Sequence, residues 1–113
     1  MTERIPFYTL TIGGKSYMLR LTAGAAVRLE ERLGCSVYEG MKRLDQVKTV
    51  TEFLLALTEG FMPDMTREGV YMLFDDYISE GGSLRSLNNI IAETMERSGF
   101  FDCGGEAKQE QSL

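Results

Sequence analysis

The sequence of 113 residues contains no histidine and no tryptophan, and it has only two cysteines and two prolines. Histidine is the most frequent general base in enzymes and the commonest nitrogen ligand of transition metals, so its absence argues against both kinds of site. Cys35 and Cys103 lie far apart and form no CxxC pair, which argues against a disulfide scaffold and a zinc site. We therefore expect a protein that needs no metal or other cofactor.

Long apolar runs and clusters of positive charge are also lacking. No stretch approaches the roughly 20 apolar residues of a membrane-spanning helix. Residues 1–6 lack the basic start and long apolar run of a secretory signal. The 12 Lys and Arg against 17 Asp and Glu give a net charge of −5, whereas binding to nucleic acid or an anionic membrane draws on clustered cations. The sequence thus predicts a cytoplasmic protein that binds neither nucleic acid nor a membrane.

What the chain does contain suffices for one folded domain. Hydrophobic residues make up 43% of it, and a domain of this length buries roughly 65% of the surface that its unfolded chain exposes. From Asp102 onward the composition is polar and offers little to bury. We predict a single domain over residues 1–101 and a disordered polar segment over residues 102–113.

Two β-prone runs, residues 7–12 and 15–21, are separated by Gly13-Gly14. Both central residues of a type I′ turn need positive φ, so a glycine pair between such runs is a strong signal for a β-hairpin. The turn also sets the register, with Leu10 facing Tyr17. Because side chains alternate across a strand, one face of the hairpin is apolar and needs a cover. That face contains Tyr8, Leu10, Tyr17, Leu19 and Leu21.

Capping signals predict a first helix between Thr22 and Gly34. The Thr22 hydroxyl can accept from a free amide of the first turn, and Gly34 can take the left-handed conformation that ends a helix. A short second helix is predicted over residues 37–43, weakened by Gly40 near its middle.

Three longer helices are predicted to follow. The run Thr49-Val50-Thr51-Glu52 has the form of a capping box and predicts the start of a central helix that Pro63 ends. Thr66 and Ser83 are the predicted N-caps of the last two helices. The predicted fold class is α+β, an N-terminal β-hairpin packed on four to five α-helices and predominantly helical. The expected core-facing residues are Val50, Phe53, Leu54, Leu57 and Phe61, then Val70, Leu73, Phe74, Tyr77 and Ile78, and finally Leu84, Leu87, Ile91 and Met95.

No group of residues has the spacing of a catalytic site. The densest acidic cluster, Asp75-Asp76 with Glu80, falls on the polar side of its predicted helix, which favours a solvated face over an acid–base pair. Cys35 follows a helix C-terminus, whose dipole disfavours a thiolate, and Cys103 lies in the predicted disordered segment. No glycine-rich phosphate-binding motif is present. We therefore predict no enzymatic activity.

Seven methionines and eleven aromatic residues (5 Tyr and 6 Phe) are a more informative feature. Most fall on the predicted core faces, but five apolar residues do not. Flexible methionines and aromatic side chains suit protein-binding surfaces, whereas helices that are apolar all round are often simply buried. A partner-binding patch and a second core layer therefore both stay open for Leu55, Met62, Met72, Phe100 and Phe101.

One stretch of the N-terminal half has a distinctive form. Residues 8–22, YTLTIGGKSYMLRLT, are similar to a hairpin of the form "ingKxYxLRL", with Gly13 in place of its n, and residues 29–34, LEERLG, have the form of a helix ending "LExxLG". This stretch resembles the small tail assembly chaperones of long-tailed phages and prophages of Gram-positive bacteria, in which several amphipathic helices follow. Similarity of individual residues is confined to residues 8–34.

The resemblance implies a function in binding proteins. Such chaperones bind the tail tape-measure protein and the tail tube protein before assembly, keep apolar surfaces from aggregating, and are usually absent from the finished virion. An alternative from a different class is a small structural head–tail connector or tail completion protein, whereas a small enzyme has only the acidic cluster in its favour. The sequence leaves open the phage, the client surface, a longer frameshifted form and a homo-oligomer.

Overall fold

The computed structural model describes residues 6–101 and shows an antiparallel β-hairpin followed by five helices. The predicted α+β fold class is confirmed. The predicted polar segment at residues 102–113 lies outside the described residues, as do residues 1–5. The strands are β1 (Tyr8–Ile12) and β2 (Lys15–Leu19), and the helices are α1 (Ala23–Leu33), α2 (Val37–Met41), α3 (Val47–Glu59), α4 (Arg67–Ser79) and α5 (Leu84–Arg97).

The hairpin has the predicted turn and register. Gly13 and Gly14 have φ angles of 57° and 84°, the left-handed region that the turn requires. Leu10 faces Tyr17 across the two strands. The predicted apolar face is turned to the interior; Leu10, Leu19 and Leu21 are buried, and Tyr8 and Tyr17 are half-buried at its margin.

The caps of α1 are confirmed, and α2 has a glycine with a packing role. Thr22 Oγ1 accepts from the amide of Ala25 at 3.2 Å, and Gly34 closes α1 with a φ of 73°. Gly40 is buried in α2, where an added Cβ would lie 2.7 Å from Leu33 Cδ1 and 3.1 Å from Phe53 Cε1. Glycine at this position therefore lets α2 lie close to α1 and α3.

The predicted start of α3 is wrong. The helix begins at Val47 after the N-cap residue Gln46, whose side chain makes no capping hydrogen bond. Thr49, Thr51 and Glu52 are instead buried inside the helix. The carboxylate of Glu52 bonds to arginines of two other helices, which leaves it unable to complete a capping box.

The predicted end of α3 at Pro63 is also wrong. The helix ends at Glu59, and the amides of Phe61 and Met62 both donate to the carbonyl of Thr58, which turns the chain before the proline. Phe61, predicted to face the core, therefore lies beyond the helix and is 40% exposed. The five apolar residues that α3 buries are each 0% exposed: Val50, Phe53, Leu54, Ala56 and Leu57.

The last two helices begin at the predicted caps, Thr66 and Ser83. On α4, Val70 and Leu73 are buried, but Ile78 is 41% exposed and does not belong to the core as predicted. α4 packs against α3 and β1, so the covered strip of this helix is narrow and Ile78 lies outside it. α5 buries its predicted residues Leu87, Ile91 and Met95.

Candidate partner-binding surface

The five side chains predicted to lie off the core faces have different environments. Met72, on the outer side of α4, is 66% exposed. Met62 is half-buried in the loop between α3 and α4. Leu55, Phe100 and Phe101 are partly buried and pack against the core. Met72 and Met62 are thus the two of the five that contribute to one surface. Binding of a partner by any of the five stays a prediction.

Phe100 and Phe101 contact α2 instead of forming a free apolar end. The hydroxyl of Tyr38 donates to the carbonyl of Phe100 at 3.1 Å, and the Tyr38 ring lies 5.0 Å from the Phe101 ring, centroid to centroid. The amide of Phe100 also donates to the carbonyl of Met95 at 3.0 Å. Of the two interpretations that the sequence left open, this packing favours a second core layer for both residues, as it does for Leu55.

A groove of about 370 Å³ opens between β2 and α4 and is lined by methionines. Met62 and Met65 approach it from the loop before α4, Met72 from α4 itself, and Tyr17 from β2. Leu73, which is 2% exposed, also lines it. Methionine side chains are unbranched and polarisable, so they adapt to irregular apolar surfaces. We call this feature the methionine groove.

The local sequence explains how the loop residues reach the groove. The amide of Met65 donates to the carbonyl of Met62 at 3.0 Å and closes a turn that presents both side chains. Thr66 Oγ1 then accepts from the amide of Gly69 at 3.0 Å and starts α4. A Cβ on Gly69 would lie 2.8 Å from Met65 Sδ, so this glycine leaves room for the methionine.

Sequence reasoning singled out Met62 and Met72 but missed Met65 and Tyr17. The signal for Met65 was its position two residues after Pro63 and three after Met62, because apolar side chains in a loop belong to no helical core face. Tyr17 was assigned to the covered hairpin face, where it is half-buried. Its remaining exposed part lies at the groove.

The exposed surface of α4 and its C-cap is acidic. Glu68, Asp75, Asp76 and Glu80 are all exposed, and none of them makes an ion pair within residues 6–101. The predicted solvated face is confirmed by these exposures. Asp76 lines the groove together with Lys15, so a ligand there would meet apolar side chains and one charge of each sign.

A second cleft, of about 420 Å³, lies between α4 and the first turns of α3. Val47 and Tyr71 line it and are 52% and 41% exposed. Phe74 contributes its half-buried ring, and Lys48 and Asp75 bring opposite charges. α4 thus has an apolar cleft on each of two sides.

Comparison with known proteins adds no relative. No protein-family model, no curated protein and no solved structure matches this chain.

Within residues 6–101, Glu52 is the one charged side chain that is buried. Its carboxylate accepts from Nε of Arg32 in α1 at 2.6 Å and from Nη2 of Arg67 in α4 at 2.8 and 3.0 Å. Burial alone would raise the pKa of Glu52, but the hydrogen bonds and charges of Arg67 and Arg32 outweigh it and hold the pKa below its ordinary value. The carboxylate ties α1, α3 and α4 together.

Across residues 6–101, no three Asp, Glu or Cys side chains lie close enough together to hold a metal ion. None of the five helices has the length and apolar character needed to cross a bilayer. Cys35 is a free, half-buried thiol.

Proposed function

We propose that this protein is a phage tail assembly chaperone that binds the tape-measure and tail tube proteins in the cytoplasm of the bacterial host. The methionine groove is the observation that supports this most directly. It places Met72, 66% exposed, beside Met62 and Met65 on one adaptable apolar surface. The resemblance of residues 8–34 supplies the class of partner.

The physical basis of such binding is burial of apolar surface from both proteins. Each Å² removed from water contributes about 25 cal/mol before the cost of ordering the partners. A chaperone must also keep the complex in solution, and a net charge of −5 favours this by mutual repulsion between complexes. Of the exposed carboxylates of α4, Asp76 lines the groove itself, so one of the charges that favour solubility borders the binding surface.

The groove also connects the part of the chain that carries the resemblance with the part that does not. Tyr17 belongs to the hairpin, within residues 8–34, whereas the three methionines lie in the loop before α4 and in α4 itself. The hairpin alone would be marginal in water. The binding surface that we propose therefore exists only when the helices pack against the hairpin.

The test is co-expression with the tape-measure and tail tube proteins of the same phage genome, followed by pull-down and measurement of soluble client. We expect the unmodified protein to bind a client and keep it soluble, and Met72→Asp to reduce both. Ile78→Asp is the matched control, because Ile78 is also exposed on α4 but does not line the groove.

If the unmodified protein neither binds nor solubilises either client, the chaperone proposal fails. A structural head–tail connector or tail completion protein then becomes the better proposal. That alternative predicts that the protein is present in purified virions, which mass spectrometry of the particles would show.

A further inference from the structure

The edge of β2 beside the methionine groove carries backbone groups that are free to bond. The Gly13-Gly14 turn makes Ile12 and Lys15 a hydrogen-bonded pair, and bonded and non-bonded pairs alternate along an antiparallel ladder. The amide and carbonyl groups of Ser16 and Met18 therefore face away from β1. No hydrogen bond within residues 6–101 engages these groups.

The residue that follows β2 shows where this free edge ends. The backbone amide and carbonyl of Arg20 point to the same edge as those of Ser16 and Met18, because the three residues are spaced two apart. The Arg20 amide donates to the carbonyl of Leu57 at 2.8 Å. The last turns of α3 therefore occupy the position that a neighbouring strand would take at Arg20. Ser16 and Met18, nearer the turn, are left without such a neighbour.

We propose that an extended segment of the partner protein adds to this edge as a third strand and inserts alternate side chains into the methionine groove. Strands with free edge groups are templates for such pairing. Ser16 and Tyr17 of β2 line the groove, whereas no residue of β1 does. Because side chains alternate along a strand, every second residue of the added segment would lie on the Tyr17 side of the sheet and meet the methionines.

The charges near the groove select the chemistry of that segment. Arg67 is the one cation within α4, and it is bound to Glu52 at 2.8 Å. Asp64 and Asp76 are exposed and make no ion pair within residues 6–101. Lys15 and Asp76 line the groove itself, and the excess of carboxylate comes from Asp64, which lies between Met62 and Met65 in the chain. The partner segment should therefore be apolar at alternate positions and carry Lys or Arg at its ends.

This inference rests on the proposed function only in requiring a protein partner. It adds the conformation of the bound segment, its charge and the backbone groups that it uses. A chaperone could bind its client through the groove side chains alone, so the two proposals have separate tests.

The register provides a matched pair of variants for the test. Thr11 and Ser16 face each other across the hairpin, both are exposed, and their hydroxyls lie 3.4 Å apart. Proline removes the backbone N–H, and at both positions that N–H faces outward, so neither change removes a bond of the hairpin ladder. Ser16→Pro blocks the edge of β2, and Thr11→Pro blocks the edge of β1.

The probe is a short capped peptide of alternating valine and threonine with a lysine at each end. Its binding is measured by fluorescence anisotropy, and amide hydrogen exchange is followed by NMR. We expect the peptide to slow exchange at Ser16 and Met18, and we expect Ser16→Pro to weaken binding about tenfold. Thr11→Pro should leave binding unchanged. Met72→Glu should weaken it as well, because the charge faces the apolar side chains of the peptide.

Two altered peptides test the same bonds without changing the protein. N-methylation of alternate amides removes the donors that pair with the β2 edge, and glutamate in place of both lysines reverses the end charges. Weaker binding of both peptides supports the proposal. These probes keep the test decisive even if Ser16→Pro lowers the stability of the hairpin.

Several outcomes would overturn the strand-addition proposal. These are no binding of the lysine-ended peptide, equal losses for Ser16→Pro and Thr11→Pro, or slowed exchange at Thr9 and Thr11 instead. Protection of Ser16 and Met18 in the free protein that disappears on dilution would assign the edge to a second copy of the chain. If Ser16→Pro still retains client as the unmodified protein does, strand addition fails while the chaperone proposal stands.

Discussion

Replacing Glu52 by Gln perturbs the one buried charged side chain within residues 6–101. The substitution keeps the size of the side chain but removes its charge. Arg32 and Arg67 then face a neutral amide, of which one atom donates hydrogen bonds and cannot accept them. The variant thus separates the contribution of charge from that of packing.

The structure sets the magnitude that we expect. Removing one partner of a buried ion pair costs about 3–5 kcal/mol. The Arg67 side chain is 46% exposed, so water compensates much of its loss. The Arg32 side chain is only 25% exposed and bonds to Glu52 through Nε, while its buried Nη2 has no hydrogen-bond partner. Loss of the carboxylate therefore leaves this guanidinium poorly compensated, and the cost concentrates there. We expect a loss of about 3 kcal/mol, which lowers Tm by roughly 10–15 °C in a domain of this size.

The pKa of Glu52 gives the loss a defined pH dependence. Because the folded-state pKa lies below the unfolded one, the ionised carboxylate stabilises the fold fully above the unfolded pKa. That stabilisation disappears as the pH falls through the folded-state pKa. The difference between Glu52→Gln and the unmodified protein should therefore be full at neutral pH and shrink in acid.

The assay is urea denaturation at neutral and acidic pH, with Glu31→Gln as control. Glu31 is exposed on α1 and forms no ion pair within the described residues. A cost for Glu52→Gln no larger than that of Glu31→Gln would refute the reasoning. A difference that stays constant on acidification would refute the assignment of the effect to the charge.

The remaining predictions concern the hairpin, the close packing of α2 and the end of the domain. Leu10→Asp should lower stability by several kcal/mol, because it buries an unpaired charge, whereas Thr9→Asp on the exposed face should not; thermal melts compare them. Gly40→Ala should lower the free energy of unfolding by about 1–3 kcal/mol, because the added methyl group overpacks against Phe53. Gly24→Ala, on the exposed side of α1, should raise it by about 0.5–1 kcal/mol. Urea denaturation measures both, and equal effects would contradict the close approach of α2. Phe101→Asp should lower Tm through its contact with Tyr38, whereas Met72→Asp should not, since Met72 is exposed. Deleting residues 102–113 should leave the melt nearly unchanged, since their polar composition offers little to bury; a large fall in Tm would contradict this.

Local signals explain the elements that were predicted correctly. A glycine pair between β-prone runs specifies the hairpin and its register because few other residues accept two successive positive φ angles. Thr22, Thr66 and Ser83 cap helices because each hydroxyl reaches an amide within its own first turn. These interactions join residues that are close in the chain, so they can be read without knowledge of the fold.

The same kind of signal was misleading at α3. Thr49 and Glu52 have capping-box spacing, but bonds to Arg32 and Arg67 from two other helices give the carboxylate stronger partners than a backbone amide. Those arginines are distant in the chain, so the sequence pattern could not rank the two arrangements. The buried state of Glu52 is a result of tertiary packing.

The candidate site divides in the same way. The sequence by itself determined that Met72 points away from the core face of its helix, because helical periodicity is a local property. Tertiary structure alone decided that Met62, Met65 and Tyr17 meet it in one groove, and that Phe100 and Phe101 pack against the core beside Tyr38. Hydrophobic burial is not directional, so an apolar side chain outside a helical stripe accepts any cover that the fold brings to it, and only the packed arrangement shows which side chains remain uncovered.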